Sequence, residues 1–284
     1  MRLSCLPVSL YPEFAAGTMT LGDWFRMAAA LGLDGADVSV SHVTSRTPAY
    51  LQALRSEAMS AGVPIVMLAT YSDWTHPKAA ERARQTDNVR AWIAAAAHMG
   101  ATCLRLTAGQ AHPGVPEDAG LGWATEGLTS CLDDAAAAGV DLLYENHVRG
   151  AVWQHNDFTQ PAGRFLEVAR RTAGTGLRIL FDTANNLALE DDPAAVLREV
   201  QDRVGAVHVS DIRRAGAFEP TVIGTGAAPI PELLQIIVQQ GFDGWISIEE
   251  ASRTGEPGFR SAVAYTRQAW GSAERRTQNA ERGT

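Results

Sequence analysis

No apolar run in the sequence reaches the roughly 18 residues that a membrane-spanning helix requires, so a membrane is not an expected partner. The opening "MRLSCLPVSLYPEF" has neither a basic n-region nor a small-residue cleavage site and reads as a first strand. Cysteine is scarce. Cys5, Cys103 and Cys131 are odd in number and show no metal-type pairing, which fits reduced packing residues of a cytoplasmic protein better than a disulfide framework. A basic excess is also lacking: 24 Lys and Arg stand against 32 Asp and Glu, a formal net charge of −8. That is the wrong sign for a surface that tracks phosphates, so nucleic acid is not an expected partner either. No Gly-x-Gly-x-x-Gly follows the first strand and no Gly-x-x-x-x-Gly-Lys-Ser/Thr occurs, which argues against an open nucleotide-binding sheet.

What the sequence does have is a repeat without identity. An alanine-rich amphipathic stretch, a glycine and a short run of Val, Ile and Leu recur in "AAALGLDGADVSV", "AMSAGVPIVML", "AAAHMGATCLRL", "AAAAGVDLLYE", "RTAGTGLRILF" and "VQQGFDGWISIEE". Gly32, Gly62, Gly100, Gly139, Gly174 and Gly241 stand where a helix ends in a left-handed residue, so each copy reads as helix, stop, strand. "LSCLPVSL" and "VGAVHVS" complete eight strands, the second preceded by a helix that "DDPAAVLREVQD" opens with an Asp-Asp-Pro signal. About 35 residues per unit suits a parallel β/α repeat. The strands are unbroken apolar runs, as burial on both faces demands. The expected fold is a single-domain α/β (β/α)8 TIM barrel over residues 1–270, followed by a polar tail, 271–284, expected to fray.

Barrels of this kind carry their chemistry at the carboxyl ends of the strands. Strand 5 ends in Glu145-Asn146-His147, strand 6 in Asp182, strand 7 carries His208 and then Asp211, and strand 8 ends in Glu249-Glu250. Carboxylates brought together this way repel and raise each other's pKa unless a cation neutralises them. A divalent ion is therefore expected, and a mostly oxygen donor set with one imidazole suits Mn²⁺, Mg²⁺ or Co²⁺. The bland alternative is a set of salt-bridged strand ends.

The segments "ENH", "FDTANN", "HVSD", "GTG" and "GFDGWISIEE" together resemble the xylose isomerase-like barrel superfamily of sugar isomerases, epimerases and related lyases, over nearly the whole chain. The resemblance implies Glu145, Asp182, His208 and Glu249 as metal ligands. Glu250 competes for the last place, and Glu249 is preferred because the superfamily ligand directly follows the apolar run. In the ketose 3-epimerases that the chain looks like, glutamates matching Glu145 and Glu249 remove and return the proton beside a ketone. The chain departs from them in two ways: Asn185 replaces a histidine after the strand 6 Asp, and "ENHVRG" lacks a second glutamate. The "ENH" form is shared with dehydratases and eliminases, which makes His147 either an acid/base or substrate ligand or a histidine bonded only for structure.

Arg105, Asn185, Asp211, Arg213 and Trp74 are the further candidates for binding a small-molecule sugar, with Arg105 alternatively pairing with Glu145 or Asp182 and Trp74 equally suited to packing in a lid. "GTG", Gly224 to Gly226, reads as a tight turn or a phosphate loop. The expected activity is a metal-dependent sugar isomerase or epimerase. The rivals are a lyase acting on a keto-inositol or 3-keto-glycoside, an endonuclease, and a non-catalytic barrel subunit. Assembly into a homo-oligomer stays open.

Overall fold

The computed structural model describes residues 1–150 and 152–282. Eight parallel strands, β1 Arg2–Leu6, β2 Ala36–Ser39, β3 Ile65–Ala69, β4 Cys103–Leu106, β5 Asp141–Glu145, β6 Arg178–Asp182, β7 Val204–Val209 and β8 Trp245–Glu249, pair in the order β1-β8-β7-β6-β5-β4-β3-β2. At the remaining seam the Asp34 N–H donates to the Leu3 carbonyl (2.8 Å) and Ser4 Oγ on β1 donates to Asp37 Oδ2 on β2 (2.8 Å). The result is a nearly closed (β/α)8 barrel. Around it lie α1 Tyr11–Ala16, α2 Leu21–Ala30, α3 Pro48–Ala61, α4 Ala79–Met99, α5 Glu117–Thr129, α6 Leu132–Ala138, α7 Ala162–Arg171, α8 Pro193–Val200, α9 Ile230–Gln239 and α10 Glu256–Arg282. Among the described residues no helix is long and apolar enough to cross a membrane.

The punctuation expected from the sequence is present. All six stop glycines have positive φ, from 67° at Gly139 to 88° at Gly62, and Asp192 caps α8 by accepting the Ala194 N–H at 2.9 Å, with Pro193 in the first turn. The start of α2 adds a capping box: Thr20 Oγ1 accepts the Asp23 N–H (3.1 Å), while the Asp23 carboxylate accepts the Thr20 N–H (2.9 Å).

Alternation along the strands then decides which side chains face inward. Met67, Cys103, Leu143, Leu180 and Ala206 form a small apolar plug inside the barrel, whereas Tyr144, Phe181 and Val207 belong to the large core packed under the helices. Two residues beyond the plug, at the same parity, come Arg105, Glu145, Asp182 and His208. On β8 Ser247 donates inward to Asp37 (2.5 Å), so Glu249 shares that side, while Ile246 and Ile248 face the outer core. Glu250 falls on the opposite parity and is held by the Ser252 N–H (3.0 Å).

The polar tail expected at 271–284 is helical as far as Arg282, where it forms the last turns of α10, and residues 283–284 lie outside the described residues. Ala273 is buried, Gln235 on α9 donates to Thr277 (2.7 Å), and Arg276 donates back to Gln235 (2.7 Å). A single small apolar residue with polar ties leaves no hydrophobic periodicity to read.

Candidate metal centre

The ends of β5 and β6 are stitched together by asparagine. Asn146 accepts the Asp182 N–H (2.7 Å) and donates to the Asp182 carbonyl (3.0 Å) and to Asn186 (2.7 Å), while Asn185 donates to the Asn146 carbonyl (3.0 Å). Asp182 turns one oxygen, Oδ1, to the N–H groups of Ala184 and Asn185 and to Ser210 Oγ, each at 2.8 Å. Its other oxygen faces the barrel interior. His208 on β7, the register partner of Asp182, hydrogen-bonds through Nδ1 to Glu145 Oε1 (2.8 Å), and the same nitrogen lies 2.9 Å from Glu249 Oε2. Arg105 on β4 donates to Glu145 Oε2 (2.8 Å) and to the Thr70 carbonyl (2.8 Å), and its guanidinium lies over the Tyr71 ring.

Ligand atoms of Glu145, Asp182, His208 and Glu249 all lie within 4.8 Å of one another. Three of the four side chains are fully buried and Glu249 is 21% exposed. Burial alone would raise Glu145, but Arg105 and then His208 outweigh it and hold the carboxylate well below its usual range. Burial would lower His208, yet Glu145 and Glu249 push it up to about 10. Asp182, buried and facing the Glu249 and Glu145 charges, is raised to about 7. The raised Asp182 and His208 mark a cluster short of positive charge. Asp182 Oδ2 and His208 Nε2 are buried without a hydrogen-bond partner, and Glu249 Oε2 has only the ion-pair approach to His208 Nδ1, an unusual concentration for native interiors. An orphaned carboxylate oxygen and an orphaned imidazole nitrogen beside two further carboxylates fit a divalent cation, and the O₃N donor set fits a hard or borderline ion.

Above the cluster opens a cavity of about 370 Å³, into which Glu249, Arg105, His147, Tyr11 and Tyr71 project. His147 stands edge-on to Trp153, its Nδ1 3.4 Å from Asp157 Oδ2, and neither of those two atoms has a hydrogen-bond partner. Asp157 turns its other oxygen to the Thr159 N–H and Oγ1, both at 2.7 Å.

The other residues expected at the site fare differently. Trp74 is not in the cavity: it is buried beneath the loop after β3, its indole N–H donating to Thr86 on α4 (3.0 Å). Tyr71, three residues earlier, takes the place at the wall. Asp211 accepts the N–H groups of Gly224 (3.0 Å), Gly226 (2.8 Å) and Ala228 (3.0 Å). It therefore folds the "GTG" loop and leaves those donors unavailable to a phosphate. Arg213 is exposed beside Glu219 (3.9 Å) and is not among the residues that line the cavity. Asn185 serves the β5–β6 stitch. Tyr11, Arg149, Asp157, Phe218 and Arg253 were not singled out from the sequence, and all but Asp157, which backs His147, line the cavity.

Comparison with known proteins places this geometry. The profile of the xylose isomerase-like TIM barrel family matches residues 25–269, and the chain belongs to that family. An inosose dehydratase from Lacticaseibacillus casei is 25% identical over 139 residues, a stretch covering 43% of this chain and 44% of the relative. The chain thus matches less than half the length of that relative. Among solved structures, D-psicose 3-epimerase from Clostridium cellulolyticum H10 superposes with a TM-score of 0.77 at 14% identity, over 95% of this chain and 99% of the other. A D-tagatose 3-epimerase-like protein gives 0.77 at 18% identity, over 99% of both. Likeness at these identities establishes the fold.

Proposed function

From that membership and the cluster on the barrel floor, we propose that the chain is a divalent-metal-dependent isomerase or epimerase of a keto-sugar or related polyol, acting by removal of a proton next to a carbonyl. The observation that carries this reading is the convergence of Glu145, Asp182, His208 and Glu249 under one cavity, with Glu249 alone of the four lining it. A bound Mn²⁺, Mg²⁺ or Co²⁺ would polarise the carbonyl and acidify the adjacent C–H. The chain's own groups divide the remaining work. Arg105 and His208 keep Glu145 ionised, the form a ligand to the cation needs, and Glu145 is the proposed acceptor of the substrate proton. Glu249, open to the cavity, returns one. Tyr11 and Tyr71 wall the site with aromatic surface suited to the apolar face of a sugar. The sugar epimerase structures share the fold, and the reading extends their class of chemistry to this chain.

The test is isotopic. Turnover of a panel of ketopentoses and ketohexoses with Mn²⁺ in D₂O places deuterium on the carbon beside the carbonyl, and Glu249→Gln abolishes product at saturating metal. Product free of solvent deuterium would show an internal hydride shift and overturn the two-carboxylate reading.

A second reading, a lyase on a keto-inositol or 3-keto-glycoside, is favoured by one observation. His147 lines the cavity with Asp157 behind it, an imidazole that a two-glutamate epimerisation leaves unused but that could protonate a departing hydroxyl. The partial match to inosose dehydratase points the same way. Loss of water or aglycone from those compounds, with no isomer formed from free ketoses, would select it.

A further inference from the structure

The cavity changes character from floor to mouth. At the floor Arg105 is buried and committed to Glu145 and the Thr70 carbonyl. At the mouth stand two further arginines, Arg149 and Arg253, both exposed and both lining the same cavity. Among the described residues neither takes part in an ion pair, whereas Arg105 at the floor is paired with Glu145. Arg149 donates, among the described residues, to the Trp153 carbonyl (3.2 Å). Among the described residues the one carboxylate lining the cavity is Glu249, at the floor. In a chain of net charge −8, two uncompensated guanidinium groups at one opening concentrate positive potential there.

Arg253 is also held in a backbone conformation that an arginine avoids. Its φ is 59°, in the left-handed region where glycine, or at lower cost asparagine, is the relaxed choice. The surrounding loop enforces it. The Arg253 N–H donates to Ser9 Oγ (2.7 Å), the Ser252 N–H to Glu250 Oε1 (3.0 Å), and the Thr254 N–H to Ser252 Oγ (3.3 Å). An ordered loop thus fixes a cationic side chain at the mouth under strain, with no carboxylate paired to it among the described residues. Strain of this kind clusters at active sites and ligand clamps.

We propose that Arg149 and Arg253 form an anion subsite, and that the substrate is a keto-sugar bearing a carboxylate or phosphate at the end remote from its carbonyl. The proposal rests on the preceding reading for its orientation, carbonyl at the carboxylate floor and anion at the arginine mouth. Guanidinium groups recognise both anions by forked, charge-assisted hydrogen bonds. The "GTG" loop is no rival for this role, since Asp211 occupies its N–H donors.

Isothermal titration of the Mn²⁺-loaded protein with D-fructose, D-fructose 6-phosphate and a ketohexuronate tests it without requiring turnover. At least one anionic ligand should bind roughly tenfold or more tightly than the neutral ketose, as a charge-assisted contact implies, and the stronger of the two tells phosphate from carboxylate. The Arg149→Gln/Arg253→Asn double variant, with asparagine chosen to tolerate the left-handed backbone, should lose that preference while Mn²⁺ affinity stays unchanged. Equal binding of all three ligands, no binding of either anion, or a preference that survives in the double variant overturns the subsite. Failure of deuterium uptake would instead count against the proposed reaction and leave the charge preference standing.

Discussion

Asp37 shows what one buried carboxylate without a cation costs. It sits inside the barrel on β2, fully buried, with Oδ2 accepting Ser4 Oγ (2.8 Å) and Ser247 Oγ (2.5 Å) and Oδ1 lacking a partner. Burial raises its pKa, and the two serine hydrogen bonds oppose without cancelling the shift. The sign of the stability effect follows. Above the unfolded pKa and below the folded one, the unfolded chain has released its proton while the folded one keeps it, so stability falls as pH rises through that window. Asp37→Asn keeps an oxygen for both serines and cannot titrate. Urea melts at a series of pH values from 4 to 7 should therefore show a smaller fall for the variant than for the wild type. The difference in slope is the readout, because the amide nitrogen inherits the partnerless position of Oδ1 and lowers stability at every pH alike. Identical slopes would mean that Asp37 is ionised in the folded protein.

Between elements, the contact of Trp74 with α5 decides the sign of a substitution that propensity alone would misjudge. The Trp74 N–H donates to the Ala108 carbonyl (3.0 Å), its indole is tied to Thr86 on α4, and the ring lies against Gly127 on α5, where an added Cβ would come within 2.1 Å of it. In an open helix, alanine in place of glycine stabilises by about 1 kcal/mol. Here overpacking against a tethered ring costs about 1–3 kcal/mol. Gly127→Ala should therefore lower the denaturation midpoint, and a raised midpoint would show that the ring has room to move. The same contact shows why the sequence leaves Trp74 open: an aromatic just past a strand end suits a sugar wall or a packing residue equally, and the glycine it packs on lies on another element. Asp211 and Arg213 are parallel cases, rim residues by position whose partners, the "GTG" amides and Glu219, belong to a loop without a pattern. The strands, the stop glycines and the four clustered residues were legible because period-two alternation and helix C-terminal geometry write themselves into local sequence. The His147–Asp157 approach was not, because a loop folding back on a strand end leaves no periodic trace.

For the whole molecule, the four clustered residues come from four adjacent strands, β5 to β8, so a bound cation would tie together half of the barrel. Binding only to the folded state stabilises by mass action, about 2.7 kcal/mol at a metal concentration 100 times Kd. For a chain of this size that corresponds to a rise in Tm of roughly 5 °C, reversed by a chelator. Asp182→Asn sharpens the test because its effect should change sign with metal. The amide oxygen can still accept from Ala184, Asn185 and Ser210, while the repulsion that Glu249 and Glu145 exert on Asp182 disappears. Without metal, near neutral pH, the variant should be as stable as the wild type or more so. With Mn²⁺ it should lag, since losing one anionic ligand lowers affinity by about tenfold or more, which removes about 1.4 kcal/mol of the metal's contribution. Calorimetric scans with Mn²⁺ and with chelator separate the alternatives. A residue that serves only to cap the turn after β6 would destabilise the protein equally in both, and that result would remove Asp182 from the metal centre.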